Sequence, residues 1–184
     1  MDRVRVHSQG PGGRAEAILV ELYGGVFSRP FEAFRPAALA LLRQAAPFDA
    51  AVWGSGVYST NALHSVSLLD FPALDLMAYA SRWQDEDVVR TAALAQPGRA
   101  FRNEDVMPIE AYRQTAIYRE YSRPAGIEHA LGLVEHDPLT DLGELIFLFR
   151  ADIAAPFTDD DRATLEHLSL HLMTAWRQAQ IAHH

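Results

Sequence analysis

Apolar residues fall at helical spacing in some stretches of this chain and crowd into β-branched and aromatic runs in others; the order of the two patterns sets the expected architecture. Ile18, Leu19, Leu22 and Tyr23, then Ala38, Leu39, Leu41 and Leu42, mark two helices between Arg14 and Pro47, interrupted near "GGVFSRP". "FDAAVWGSGVYSTNALHSVSLL" puts aromatic and β-branched residues on either side of the turn-forming "STN", which predicts an antiparallel pair. "FPALDLMAYASRWQDEDVVRTAALAQ" returns to helical spacing, with Leu74, Met77 and Ala78 on one stripe, and Pro97-Gly98 ends it. "RAF" has the length of an edge strand, and 108–122 holds one or two short helices carrying Tyr112, Tyr118 and Tyr121.

"GIEHALGLVEH" and "GELIFLFRAD" read as two strands of a hairpin joined through "DPLTDLG". Along the first, Ile127, His129, Leu131 and Leu133 share one face and Ala130, Gly132 and Val134 the other; along the second, Ile146 and Leu148 oppose Leu145, Phe147 and Phe149. A sheet with one wet face alternates apolar with polar residues, and these strands do not. Thr158, followed by acids through Asp161, is an N-cap that starts a long C-terminal helix over about 158–181. Strand pairs separated by helical insertions predict an α+β domain, with a central antiparallel sheet, helices on one face and a loop/helix lid on the other. A lidded sheet face is a natural place for a small-molecule cavity.

Composition narrows the function classes. The 184 residues, 49% hydrophobic and 22% charged, suit one compact domain, expected over 14–182 behind a flexible leader at 1–13. The formal net charge is −8 and no dense Lys/Arg stripe is present, so direct nucleic-acid binding by these residues is not expected. The absence of cysteine excludes disulfides, thiolate metal sites and cysteine nucleophiles. No apolar run reaches the length of a signal peptide or a membrane span, which makes the cytoplasm the expected location and the membrane an unexpected partner.

The stretch "ALAQPGRAFRNEDVMPIEAYRQTAIYREYSRPAGIEHALGLV", Ala93 to Val134, carries a Pro-Gly before a short strand, a helical stretch ending in an aromatic and Pro-x-Gly, and then a strand opening with an apolar-x-His pattern. In this it resembles the GAF-like N-terminal sensor region of LuxR-type bacterial transcriptional regulators. The likeness extends to "PFDAAVW", "YASRWQDEDVV", "LFR" and "FTDDDRATLEHLSLHLMTAW". It implies a PAS/GAF-like ligand-sensing fold, usually followed by a helix-turn-helix that binds promoter DNA. No such element is read after Trp176, so promoter DNA is expected as a partner only through a helix-turn-helix absent from this chain. The autoinducer-binding branch of the family holds its ligand with a Trp, a Tyr and an Asp. Trp53, Tyr79 or Trp83, and Asp85 or Asp87 are approximate matches.

Trp53, Tyr58, His64, Trp83, Tyr112, Tyr118, Tyr121, His129 and Phe147 are the candidate ligand-binding residues, because aromatic rings give contact area and their polar tips give direction. The plain alternative for each is a core residue. A buried neutral His129 needs partners for both ring nitrogens, supplied either by the protein or by a ligand. His167 and His171 have metal-sharing spacing without a third ligand, so no metal is expected. The series Leu165, Leu168, Leu172, Trp176 and Ala179 is a seam for the domain's own core or for a partner helix. "GSG" at 54–56 lacks the context of a phosphate loop or nucleophile elbow and reads as a strand bulge, while Asp85, Glu86 and Asp87 read as a solvated cap.

These observations lead to a regulatory, non-enzymatic domain without cofactor. It binds an unidentified small molecule between sheet and lid, signals through the C-terminal helix and pairs as a homodimer. The alternative is a dimerisation module whose apolar sheet face is filled by its own side chains; a small enzyme comes third.

Overall fold

The computed structural model describes residues 11–71 and 79–183; residues 1–10 of the expected leader, and the stripe of Leu74, Met77 and Ala78, lie outside them. Helices α1 (Pro11–Ser28) and α2 (Phe31–Ala45) precede strands β1 (Ala50–Val57) and β2 (Ala62–Leu69). A π-helical turn, Tyr79–Trp83, leads to α3 (Val88–Ala95), β3 (Ala100–Arg102), and the one-turn helices α4 (Asn103–Val106) and α5 (Ile109–Tyr112). A second π-helical turn, Tyr118–Ser122, then gives way to the hairpin β4 (His129–Asp137) and β5 (Leu142–Arg150) and to the long α6 (Asp159–Ala182). The five strands form one antiparallel sheet in the order β2-β1-β5-β4-β3, so the domain is α+β with β5 at the sheet centre.

Alternation along the strands divides the apolar residues between two covered faces. Trp53, Leu131, Leu133, Ile146 and Leu148 pack against α1, α2 and α6 in one core. The seam of α6, Leu165, Leu168, Leu172, Trp176 and Ala179, is buried in that same core, so it is consumed within the chain and is not left for a partner helix. Thr158 holds the start of α6 through a reciprocal capping box with Asp161, worth about 1 kcal/mol.

One polar cluster sits inside this helical layer. Glu144 of β5 accepts from Trp53 Nε1 at 2.7 Å, from Ser55 Oγ at 2.8 Å and from the Arg35 guanidinium of α2 at 3.3 Å. Arg35 also donates to Ser55, and lies 4.1 Å over the Trp176 ring of α6. Burial pushes the Glu144 carboxyl up and the Arg35 guanidinium down to about 10, each opposed by the other's charge. Three donors aimed at Glu144 favour its carboxylate form against that burial.

On the opposite face, Ala130, Val134, Phe147 and Phe101 meet Val89 and Ala93 of α3, while Trp83, Tyr112, Ile117 and Tyr118 form a separate cluster in the lid. Gly132 pairs with Phe147, and a Cβ there would lie 2.4 Å from the phenylalanine ring. The bare backbone is what lets that ring lie against β4. Ile127 departs from the alternation that grouped it with Leu131 and Leu133. β4 begins only at His129, Gly126 turns the chain at φ 70°, and Ile127 ends up on the lid side.

Candidate functional site

Between the lid face of the sheet and the lid lies a cavity of about 130 Å³. Its floor is apolar, built from Val52 of β1, Ala130 of β4, and Leu145, Phe147 and Phe149 of β5. Tyr79, Tyr112, Ile117, Tyr121, Ser122 and Ile127 cover it, and Leu63 and Val66 of the edge strand β2 flank it. Both π-helical turns contribute to this cover, the first through Tyr79 and the second through Tyr121 and Ser122. The extra residue in such turns re-aims side chains that a regular helix would send elsewhere.

The polar groups on the wall are few. Asp87 caps α3, accepting from the Arg90 N–H at 3.0 Å and from the Tyr79 hydroxyl at 2.7 Å. Burial raises its carboxyl above the usual carboxylate range, against those hydrogen bonds and the Arg90 charge. The Tyr79 phenol is raised by burial and then by Asp87. Burial also pushes the phenols of Tyr112 and Tyr121 up to about 12, so all three stay neutral at pH 7. The Tyr112 hydroxyl is 3.1 Å from Ser122 Oγ.

Asn103 differs from these groups. It is buried at the β3–α4 junction, and its Oδ1 accepts from the Ala130 N–H at 2.6 Å. Its Nδ2 sits near the Tyr112 hydroxyl but has no hydrogen-bond partner of good geometry among the described residues.

Of the nine sequence-predicted residues, Tyr112, Tyr121 and Phe147 line this cavity together. The other six are placed elsewhere, for physical reasons. Trp53 alternates with Val52 and therefore enters the helical core, fully buried against Glu144. Tyr58, at the end of β1, stacks on His136 at 3.9 Å and donates to the Leu94 carbonyl. His64 is exposed on the edge strand. Trp83 packs inside the lid behind the wall, as does Tyr118, whose hydroxyl donates to Glu128 at 2.8 Å. His129 is spent on the protein, with Nδ1 3.1 Å from Glu104 and Nε2 3.2 Å from the Ile153 carbonyl. Both partners are acceptors, so the imidazolium is favoured and the His129 pKa rises, Glu104 contributing most.

His171 faces the Tyr23 hydroxyl at 3.1 Å, and no cluster suited to a metal ion occurs among the described residues. Sequence reasoning misses Asn103 and Ile127; for Asp87 it gives a solvated cap from the local residues and, through the family resemblance, an approximate match shared with Asp85 for a ligand-holding Asp. An Asp directly before the apolar run "VVRTAALA" is an N-cap signature that identifies Asp87; nothing local singles out Asn103.

No protein-family model and no curated protein sequence matches the chain. Solved structures do. The ligand-binding domain of VqsR from Pseudomonas aeruginosa superposes with a TM-score of 0.65 at 16% identity, covering 93% of this chain and 99% of that one. CepR2 from Burkholderia cenocepacia, an N-acylhomoserine-lactone-dependent LuxR-family transcription factor, gives 0.64 at 15% identity over 90% and 94%. A phycoerythrobilin-bound GAF domain of a cyanobacterial phytochrome gives 0.60 at 14% identity over 96% and 100%. This chain thus has the GAF-like fold found in the ligand-binding domains of LuxR-family regulators.

Proposed function

We propose that this chain is the ligand-sensing regulatory domain of a LuxR-type transcriptional regulator, acting in the cytoplasm. It binds a small molecule between sheet and lid and signals through α6. The observation that carries this reading is the cavity itself: an apolar floor, an aromatic cover on two π-helical turns, and a few buried polar groups facing one space. The neighbours support a regulatory role over an enzymatic one. Acylhomoserine lactone and phycoerythrobilin, named with two of them, differ so much that the fold does not name the ligand. No helix among the described residues is long and apolar enough to cross a membrane. A thermal-shift screen with lactones, aromatic compounds and nucleotides, followed by native mass spectrometry of the hits, tests the reading. A raised midpoint with one bound molecule per chain is expected, and no shift with any compound overturns it.

Pairing of two chains belongs to the same reading. With the α6 seam consumed internally, support comes from the outer faces of α1 and α6, which pack side by side. There Val20 and Phe27, and Leu170 and Ile181, are 76%, 78%, 61% and 80% exposed. On α6, Ala163, His167, Leu170, Thr174, Arg177 and Ile181 repeat at alternating spacings of four and three, the period of a helix-pairing seam. Light scattering is expected to report a dimer that Leu170→Glu dissociates. A monomer at every concentration removes pairing from the proposal. Promoter DNA would be the partner of a helix-turn-helix, not of the described residues.

A further inference from the structure

We infer that the cavity selects an uncharged compound of about one ring's bulk bearing a hydrogen-bond acceptor, and that Asn103 Nδ2 is the group that recognises the acceptor. This rests on the ligand-sensing reading above and narrows it. The orientation of the Asn103 amide follows from its neighbour. The Ala130 N–H is a donor, so the atom facing it at 2.6 Å is the amide oxygen, and the NH₂ group is left over. That NH₂ is buried, belongs to a residue of the cavity wall and, though near the Tyr112 hydroxyl, has no hydrogen-bond partner of good geometry among the described residues. A buried donor without an acceptor is unfavourable, and a ligand that supplies one recovers the lost interaction.

Of the remaining polar side chains on the wall, Gln84 and Tyr121 are only partly buried, within reach of water, and the others are engaged. Tyr112 and Ser122 meet each other, and each Asp87 oxygen accepts one hydrogen bond from the protein. Asp87 and Arg90 interact with each other on the same wall and most of the lining is apolar, so an ion entering would lose its hydration without a free counter-charge. Volume sets the bulk: about 130 Å³ is close to the roughly 150 Å³ of an apolar cavity that holds benzene. Water is a poor occupant of such a space, because it needs two to four polar partners.

The test is calorimetric titration of the full chain with three probes of similar shape: acetophenone, α-methylstyrene, in which CH₂ replaces the carbonyl oxygen, and benzoate. Acetophenone is expected to bind about tenfold more tightly than α-methylstyrene, the discrimination of one buried hydrogen bond, and benzoate is expected not to bind. In Asn103→Asp, which keeps an acceptor for Ala130, the ketone preference is expected to fall to about one. Equal affinity for ketone and hydrocarbon in the wild-type protein overturns the inference whether or not the variant folds, and so does tighter binding of benzoate. If the compact probes fail and a long-chain compound such as N-octanoyl homoserine lactone binds, the inference falls and the sensing reading stands. If the lactone fails as well, the inference falls, and the sensing reading falls with it only if the wider thermal-shift screen is also empty.

Discussion

Gly132 and Phe147 show how one atom decides whether there is a cavity floor. The ring rests on a backbone with no Cβ, at a position where a methyl group would lie 2.4 Å away. Gly132→Ala is expected to tilt Phe147 toward the cavity, lower stability by about 1–3 kcal/mol in urea unfolding, and weaken any compound bound in the cavity. Unchanged stability and binding would mean that the ring has room elsewhere. His129 supplies a second prediction. Its folded pKa is raised, so its contribution is fully present below the unfolded value of about 6.5 and is lost as pH rises through the folded value. The stability gap between wild type and His129→Gln is therefore expected to be widest near pH 5.5 and to narrow on going to alkaline pH. A gap that widens with pH contradicts the Glu104 pairing. Period-two alternation told in the sequence which residues share a face. It does not tell which face holds the cavity: Trp53, a ligand-contact candidate by residue type, lies in the helical core, and its neighbour Val52 is the one on the wall.

The long elements were legible because each has a period to read: two N-terminal helices, the β4–β5 hairpin and α6 with its capping box all follow from spacing and caps. The lid was not, because its pieces are four-residue helices and π-helical turns, too short to carry a hydrophobic period. The polar link between layers was equally hidden, since Arg35, Glu144 and Ser55 come from three elements far apart in sequence. That link makes an element-scale prediction. Removing one member leaves the others buried without their partner, so Arg35→Met and Glu144→Gln are each expected to cost about 3–5 kcal/mol. The double variant is expected to cost clearly less than the sum, because each change removes the reason the other is harmful. Additive losses would show that α2 and β5 are not coupled through this pair.

The sheet is a plate with the cavity on one side and the helical layer on the other, and adjacent residues of a strand look opposite ways. Leu145 and Phe147 line the cavity while Glu144 and Ile146, next to them, enter the helical core. Glu144 binds Trp53 and Arg35, and Arg35 lies over Trp176 of α6, so a contiguous set of contacts joins the cavity floor to the helix that would carry a signal onward. Contiguity alone is not coupling; a ligand biases α6 only if it binds better to one arrangement of these contacts than to another. Hydrogen exchange along α6 reads that difference directly. With a cavity-bound compound, amides around Trp176 are expected to exchange more slowly than in the free protein, beyond the slowing produced by global stabilisation and measured in α1. Arg35→Met is expected to remove the excess protection while leaving binding at the cavity in place, since Arg35 is not on its wall. Protection that persists in this variant would route the coupling through the apolar core of α1, α2 and α6, and protection that never exceeds the α1 value would mean that the plate does not transmit the occupancy of its cavity.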